Sequence, residues 1–516
     1  MIRFGLSYFA QRNPQASAVI EPGGRVWSRS ELGIAVNQIA HALRERGLKE
    51  RDVIAVLAPN CIEFVATYLA ATDIGLYVVP INWHLSVQEV SYILENSGAG
   101  ALVAHERFRP LIDRVREHRH GALPAVLVSL GQIPGFTTLE DLRSGMPTER
   151  VANPVVGRMM MYTSATTGRP KAIEVPIRDA ALAMSKTVDF HIGVGLRLED
   201  DNVHLCASMM YHAAPLEFVA IALHMGHTIV LVERWDPEQL LHTIQQHRVT
   251  TSFMVPTMFV RLLKLPKETR DRYDTSSLRL VSHSAAPCPE EVKRQLIEWW
   301  GPIIWESYGA AEGQGTAVTS QEWLERPGTV GRPILGTKLR ILDDDGNELP
   351  PGVVGTIFLS RHTGDRFEYR GDAEKTRAAY RGDVFTVGDL GYLDDEGYLY
   401  ICDRRVDLII CSGTNIYPAE VEQILVQHPK VLDCAVFGVP DELSGESVHA
   451  VIQPVAGVIG EDELTADIIS FLRQRLSVTK IPRRIEYASA LPRDPNGKLY
   501  KRALRDKHWA GRAKNI

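Results

Sequence analysis

From Asp52 onward, short apolar runs alternate with stretches whose apolar residues recur every three to four positions. VIAVLA (53–58) reads as a buried strand, and Ile62, Val65 and Leu69 after it fall on one face of a helix. LYVVPI (76–81), ALVA (101–104) and AVLVSL (125–130) repeat the strand pattern; the SVQEVSYILENSG stretch reads as a helix opened by Ser86 and closed near Gly98. Such alternation predicts a mostly parallel sheet covered by helices, and so a large α/β domain. Near residue 330 the rhythm changes. GRPILGTKLRILDDDGNELPPGVVGTIFLS carries turn signals every few residues, which predicts an antiparallel β subdomain over about 325–403. After Asp403 the chain restarts as a small α+β unit: helix AEVEQILVQH, strands VLDCAVFGV and SVHAVIQP, a helix with Leu464, Ile468, Phe471 and Leu472 on one face, then RRIEYAS. The boundary falls at about 403–408, giving an N-terminal domain of 1–403 and a C-terminal domain of 404–516.

Composition changes this picture little. The 516 residues are 45% hydrophobic with a net charge of −6, ordinary for a globular protein and unsuited to non-specific nucleic-acid binding. The most apolar stretch, Phe218 to Val232, is interrupted by His224, Gly226, His227 and Thr228, and falls short of the roughly 20 residues a helix needs to span a bilayer. Six scattered cysteines without a CxxC pair point to free thiols in a reducing compartment, and a cytoplasmic location is the expectation.

The chemistry starts at MYTSATTGRPKAI (161–173). Thr163, Ser164, Thr166 and Thr167 offer hydroxyls, Gly168 allows close approach, and Lys171 supplies charge, the parts of a polyphosphate cradle. The order is not a Walker A loop, and on composition alone a polar surface loop fits as well. The order of residues, however, resembles the phosphate loop of the adenylate-forming superfamily, which includes acyl-CoA synthetases, luciferases and peptide-synthetase adenylation domains. SMMYHAAP (208–215), HSAAPCP (283–289), ESYGAAEG (306–313), VGDLGYLDDEGYLYICDRRVD (387–407) and PRDPNGKL (492–499) then follow in the family's order.

The resemblance implies a carboxylate attacking the α-phosphate of ATP to give an acyl-AMP, which a thiol, usually that of coenzyme A, then resolves. It implies that Glu312 holds Mg²⁺, a hard cation that prefers carboxylate oxygen. Asp389 would accept the ribose hydroxyls, with Arg404 beside it; a structural ion pair is the alternative for both. Ala285, Ala286 and Pro287 would pack on adenine, and Glu306, Ser307, Tyr308, Gly309, Ala310 and Ala311 would complete the nucleotide site. Lys498 would stabilise charge during adenylation; without the resemblance it reads as a surface lysine. His212 would stand at the mouth of the acyl pocket, or be a core histidine. Val406 takes the hinge position, and Ser412, Gly413 and Thr414 the thioester-forming face, where Gly413 would let the pantetheine arm of CoA pass. Arg483, Arg484, Lys501, Arg502 and Arg505 form either a rim for CoA phosphates or a solvated face.

Three alanines depart from the family pattern: Ala165 and Ala172 replace glycines of the phosphate loop, and Ala311 replaces the threonine of YGxTE. A left-handed backbone at 165 would cost alanine about 1–2 kcal/mol, and a lost donor to a charged acceptor roughly 1.5–3 kcal/mol. Two readings follow: a two-step acyl-CoA ligase, or a thioesterification-only enzyme that takes a preformed acyl-adenylate from a separate adenylating enzyme. A protein loading a carrier protein and a non-catalytic nucleotide- or acyl-binding relative are further alternatives. Ala213, Ala214, Ala310, Gly313 and Gly315 are small, which suggests a roomy pocket for a long or bulky apolar acid. The resemblance implies a monomer or a homodimer.

Overall fold

The computed structural model describes residues 4–163, 170–177, 187–189, 191–198, 201–334, 336–361, 363–493 and 499–510. The chain forms two compact units: residues 1–254, 265–282 and 361–379 make the first, and residues 255–264, 283–360 and 380–516 the second.

In the first unit a six-stranded parallel sheet runs in the order Thr137–Thr138, Val126–Leu130, Ala101–His105, Val53–Leu57, Tyr77–Pro80, Arg158–Met159. Its central strand shows why the sequence gives an unbroken apolar run. Val53, Ala55 and Leu57 pack into one hydrophobic cluster, and Ile54 and Val56 into another on the opposite face. With both faces covered, alternation disappears. The helices end where their caps dictate. Ser86 accepts from the Glu89 backbone N–H and Glu89 returns a bond to the Ser86 N–H, a capping box that opens helix Val87–Asn96. A second set of strands orders as Val26–Ser28, Ser17–Ile20, Thr228–Leu231, Val203–Cys206, Thr251–Met254, parallel apart from the first hairpin. Three short antiparallel strands, Met161–Thr163, Lys171–Glu174 and Glu368–Tyr369, complete this unit.

The second unit is built from antiparallel neighbours. Ile304–Ala310, Gly313–Val318, Thr329–Pro333, Leu399–Arg404, Asp389–Leu393 and Gly355–Leu359 lie side by side, so this pairing begins at Ile304, earlier than the turn density predicts. A separate five-stranded sheet runs Thr414–Ile416, Ile409–Cys411, Gly445–Pro454, Val431–Asp441, with Arg484–Tyr487 parallel to Gly445–Pro454. Helices Pro418–Leu425 and Asp462–Arg473 bury Val421, Leu425, Leu464, Ile468 and Leu472 in one cluster with the strands. Among the described residues no helix is long and apolar enough to cross a membrane, and all six cysteines are free.

Two histidines of the first unit are buried without charge. His204 contacts the Thr251 hydroxyl at 2.9 Å and His227 the Arg197 carbonyl at 2.8 Å. Burial pushes their pKa values down to about 3 and about 4. Because the folded values lie below the ordinary 6.5, the unfolded chain binds the extra protons, and stability falls as pH drops from 6.5 towards 4. By pH 5.5 each residue should remove about 1.4 kcal/mol. Thermal denaturation at pH 7.5 and 5.5 should show a lower midpoint at the acidic pH, with a smaller difference in His204→Asn.

Candidate active site

The hairpin Ile304–Ala310/Gly313–Val318 turns through two residues, Ala311 and Glu312, since Ala310 pairs with Gly313. Ala311 is exposed at the tip and Glu312 is buried at 5% exposure. Close strand approach explains the glycines. A Cβ on Gly309 would sit 2.8 Å from the Gln314 Cα, and one on Gly315 2.8 Å from Leu359 Cδ2. The smallness of Gly315 therefore serves strand packing rather than opening a substrate pocket, which corrects the sequence reading at that position. Ala213 and Ala214 lie half-buried in the first turn of helix Ala213–His224.

Along the first strand, Glu306 and Tyr308 turn inward and Ser307 is half-buried. The Glu306 carboxylate accepts a 2.7 Å bond from Lys293 Nζ, with His283 Nε2 at 3.6 Å; Lys293 and His283 are fully buried. Burial raises the Glu306 pKa and the Lys293 charge opposes it, while burial and the same charge hold His283 neutral. Glu306 was expected to bind nucleotide, but its carboxylate is committed to an internal ion pair. Lys293 escapes a sequence reading because it stands in a polar-looking helix, EEVKRQLIEWW. Its spacing from Leu296 and Ile297, three and four residues on and also buried, is the signal that could have found it.

Asp389 and Arg404 face each other across paired strands. The Tyr308 hydroxyl donates to Asp389 Oδ2 at 2.7 Å, and Arg404 Nε lies 3.4 Å from Oδ1. Asp389 is 7% exposed, whereas the Arg404 side chain is half exposed. Burial and the neighbouring carboxylate push the Tyr308 phenol well above its usual range, so it stays a donor. The result is a fixed acceptor flanked by a cation, which is what a vicinal diol beside a phosphate requires. Ala285 takes a left-handed backbone, φ +74°, a strained conformation for a residue with a Cβ; Ala286 and Pro287 follow it in the segment leading to helix Glu290–Trp300.

In the first unit, Thr163 pairs with Lys171 across the strands on either side of residues 164–169. Ser164, Ala165, Thr166 and Thr167 lie outside the described residues, as does Lys498. Lys171 forms an ion pair with Asp372, whose carboxyl it pulls below its usual range. Ala172 is fully buried opposite Tyr162, so its methyl fills the core; it does not project towards phosphates, as a loop position would. His212 stands at the N-cap of helix Ala213–His224, its ring 4.6 Å from that of Tyr211. Tyr211 meets Trp83 edge-on at 5.9 Å, and Trp83 stacks on Phe108 at 5.4 Å, an aromatic wall that the motifs did not announce.

The turn expected to act as a hinge belongs to the second unit. Val406 lies in the single turn Arg405–Asp407. The Arg405 N–H donates to the Gly388 carbonyl at 2.9 Å, and Arg505 Nη1 donates to the Val406 carbonyl at 3.0 Å and pairs with Asp407 at 3.3 Å. Asp403 is buried and accepts from the Arg404 and Ala419 N–H groups at 2.7 and 2.8 Å. Ser412 and Gly413 form a two-residue turn with φ of +50° and +77°, closed by the Cys411–Thr414 pair. This is the type I′ geometry that suits hairpins. A Cβ on Gly413 would meet nothing within 4 Å, so here the backbone conformation is the reason for glycine. Most of the basic rim is internally paired: Lys501 with Glu422 at 2.9 Å, Arg483 with Asp441 at 2.8 Å and Arg502 with Asp506 at 2.8 Å. Lys501 and Arg483 find acids distant in sequence, and Arg502 one four residues on.

Two stability effects follow. Lys293→Met should strand the buried Glu306 carboxylate and cost about 3–5 kcal/mol, read from urea unfolding of the second unit. Gly413→Ala should cost about 1–2 kcal/mol through its left-handed backbone alone, seen in the absence of any thiol substrate.

The chain matches the AMP-binding enzyme family over residues 6–363 and the AMP-binding enzyme C-terminal domain over residues 420–498. A fatty acid–[acyl-carrier-protein] ligase of Streptomyces coeruleorubidus is 30% identical over 99% of this chain and 97% of its own. A 2-succinylbenzoate–CoA ligase of Bacillus licheniformis is 32% identical over 96% of this chain and 98% of its own. Among solved structures, an amide bond synthetase of Marinactinospora thermotolerans superposes with a TM-score of 0.82 at 27% identity, covering 97% of this chain and 99% of its own. The chain is therefore an adenylate-forming, AMP-binding enzyme of the acyl-CoA ligase family.

Proposed function

We propose that the protein is a two-step acid–thiol ligase that converts an apolar acyl or aryl carboxylic acid to its CoA thioester through an acyl-adenylate. The observation that carries this reading is the Tyr308–Asp389–Arg404 group, a buried carboxylate with one oxygen fixed by a phenol and a guanidinium beside the other. Asp389 would take the ribose hydroxyls, and Arg404 the ribose or the phosphate beside it. The left-handed Ala285 leads into the segment that would lie against adenine. Glu312 suits Mg²⁺, because a carboxylate held in a two-residue turn is a hard oxygen donor with little freedom to lose. Mg²⁺, when bound, supplies positive charge against the phosphates.

Lys171 would exchange Asp372 for ATP phosphate, and Lys498 would stabilise charge as the carboxylate attacks. The acid would lie by His212 and the Tyr211–Trp83–Phe108 wall. Arg107, 5.7 Å from the Trp83 ring, is already paired with Glu233 at 2.8 Å, so a second acidic group on the substrate would compete with that carboxylate for it. Small-domain rotation about Val406, with residues 404–516 as the moving domain, would then bring Ser412, Gly413 and Thr414 to the thiol. The burial of Ala172 and the exposure of Ala311 favour two-step catalysis over loss of adenylation, since one methyl is absorbed by the core. The resemblance to a carrier-protein ligase over nearly the whole chain gives the second reading: phosphopantetheine on a carrier protein as the acceptor.

The test supplies purified protein with CoA and, in parallel, either ATP plus a panel of apolar acids or the matching synthetic acyl-adenylates, with acyl-CoA followed by mass spectrometry. Product from both supplies is expected. Product from adenylates alone means that a separate enzyme activates the acid, and product only with a carrier protein present moves the acceptor. Lys498→Ala should lower ATP–pyrophosphate exchange by about 10²–10³ while thioester formation from the adenylate persists.

A further inference from the structure

Away from the residues of the ligase reading, three side chains capable of binding a metal converge on the five-stranded sheet. Val451 pairs with Glu486 across the parallel strands Gly445–Pro454 and Arg484–Tyr487, and His449 lies two residues before Val451. His449 and Glu486 therefore share a face of the sheet. His508, from the short turn Asp506–His508, comes over the same face, its ring 4.8 Å from that of His449 and 5.9 Å from that of Phe437. Trp509 next to it is anchored by a 3.0 Å bond from Nε1 to the Gly438 carbonyl. One ligand atom from each of His449, Glu486 and His508 can be chosen so that all lie within 4.8 Å of one another.

The hydrogen bonding is what singles this cluster out. His449 is fully buried, and neither of its ring nitrogens makes a hydrogen bond among the described residues; the same holds for Nε2 of His508. Buried polar nitrogens are normally satisfied, so two unsatisfied rings facing one carboxylate call for an explanation. The separations supply one. His449 Nε2 lies 3.4 Å and His508 Nε2 4.0 Å from Glu486 Oε1, too far for good hydrogen bonds. Two ligands each about 2.0–2.1 Å from a tetrahedral ion lie about 3.3 Å apart. The His449–Glu486 separation already has that spacing, and His508 would close on it. The second oxygen of Glu486 accepts from Lys507 Nζ at 2.9 Å, which orients the carboxylate as outer-shell partners of metal ligands do.

We propose that His449, Glu486 and His508 form a zinc site, with two imidazole nitrogens and one carboxylate oxygen as ligands and water as the fourth. Imidazole and carboxylate together suit Zn²⁺ better than the harder Mg²⁺ or Ca²⁺. Glu486 is a third exposed, which leaves the ion a path of entry. The site joins the segment after Lys498 to the sheet of the small domain. It is independent of the acid–thiol ligase reading.

The experiment uses the full-length protein, stripped with a chelator and titrated with CoCl₂ while visible absorption is followed, then with ZnCl₂. Absorption of four-coordinate cobalt saturating at one equivalent and displaced by zinc is expected. His508→Ala and Glu486→Gln should each weaken binding about 100-fold, and zinc should raise the thermal midpoint of the parent protein but not of His508→Ala. His508 is partly exposed, and circular dichroism will establish that the variant folds. The proposal is overturned if no such absorption develops, or if His508→Ala binds cobalt as tightly as the parent.

Discussion

A buried carboxylate has to find partners, and the arrangement of the second unit around Asp403 is the outcome. One oxygen takes the N–H of Arg404, and the other takes the N–H of Ala419 in the first turn of helix Pro418–Leu425, where backbone donors have no partner within the helix. Burial raises the Asp403 pKa, and the two N–H groups and the Lys501 charge work against that rise. Lys501 is itself held by Glu422, which also accepts from the Val436 N–H at 2.6 Å. A strand, a helix, a second strand and the chain beyond Lys498 are thus linked through acids and one base that burial makes costly to separate.

The same constraint sets the candidate nucleotide site. Asp403 pairs with Leu390 on the neighbouring strand and Arg404 with Asp389, so the register that seats Asp403 also brings the exposed guanidinium beside the buried carboxylate. A one-residue slip would reverse both side chains. Tyr308 reaches the carboxylate from another strand, whose inward-facing positions are fixed by the Glu306–Lys293 pair two residues earlier. The residues that would touch adenosine are thus held by charged pairs that touch no ligand.

How legible this was depends on where each residue's partners lie. The strand at Val53–Leu57 and the helix opened by Ser86 could be read because their causes are local: two covered faces, and a cap three residues from its acceptor. The order of motifs pointed to the family, and it singled out Asp389, Arg404 and Gly413 as candidates. What a letter contributes was less readable. Glu306 looked like a ligand because its partner Lys293 is on a different element. Arg483 and Lys501 looked free because Asp441 and Glu422 are far away in sequence. Gly413 was read as a passage for a thiol arm, and its left-handed backbone is a separate, local reason for glycine. Ala172 looked like damage to a phosphate loop, yet its methyl is packed in the core.

The two ends of the turn Arg405–Asp407 are gripped by different parts of the chain. Arg405 is tied to the antiparallel strands through the Gly388 carbonyl and the Thr356 hydroxyl, whereas the carbonyl of Val406 and the carboxylate of Asp407 are held by Arg505, close to the chain's end. Val406 and Asp407 are therefore tied to the C-terminal segment, and Arg405 to the strands. A rotation that kept both grips would use the ψ of Arg405 and the φ and ψ of Val406, a short axle of three torsions. The bonds from the Leu408 N–H back to the Arg404 and Arg405 carbonyls cross that axle. They would have to break before the chain could turn there, whatever side chain occupies position 406.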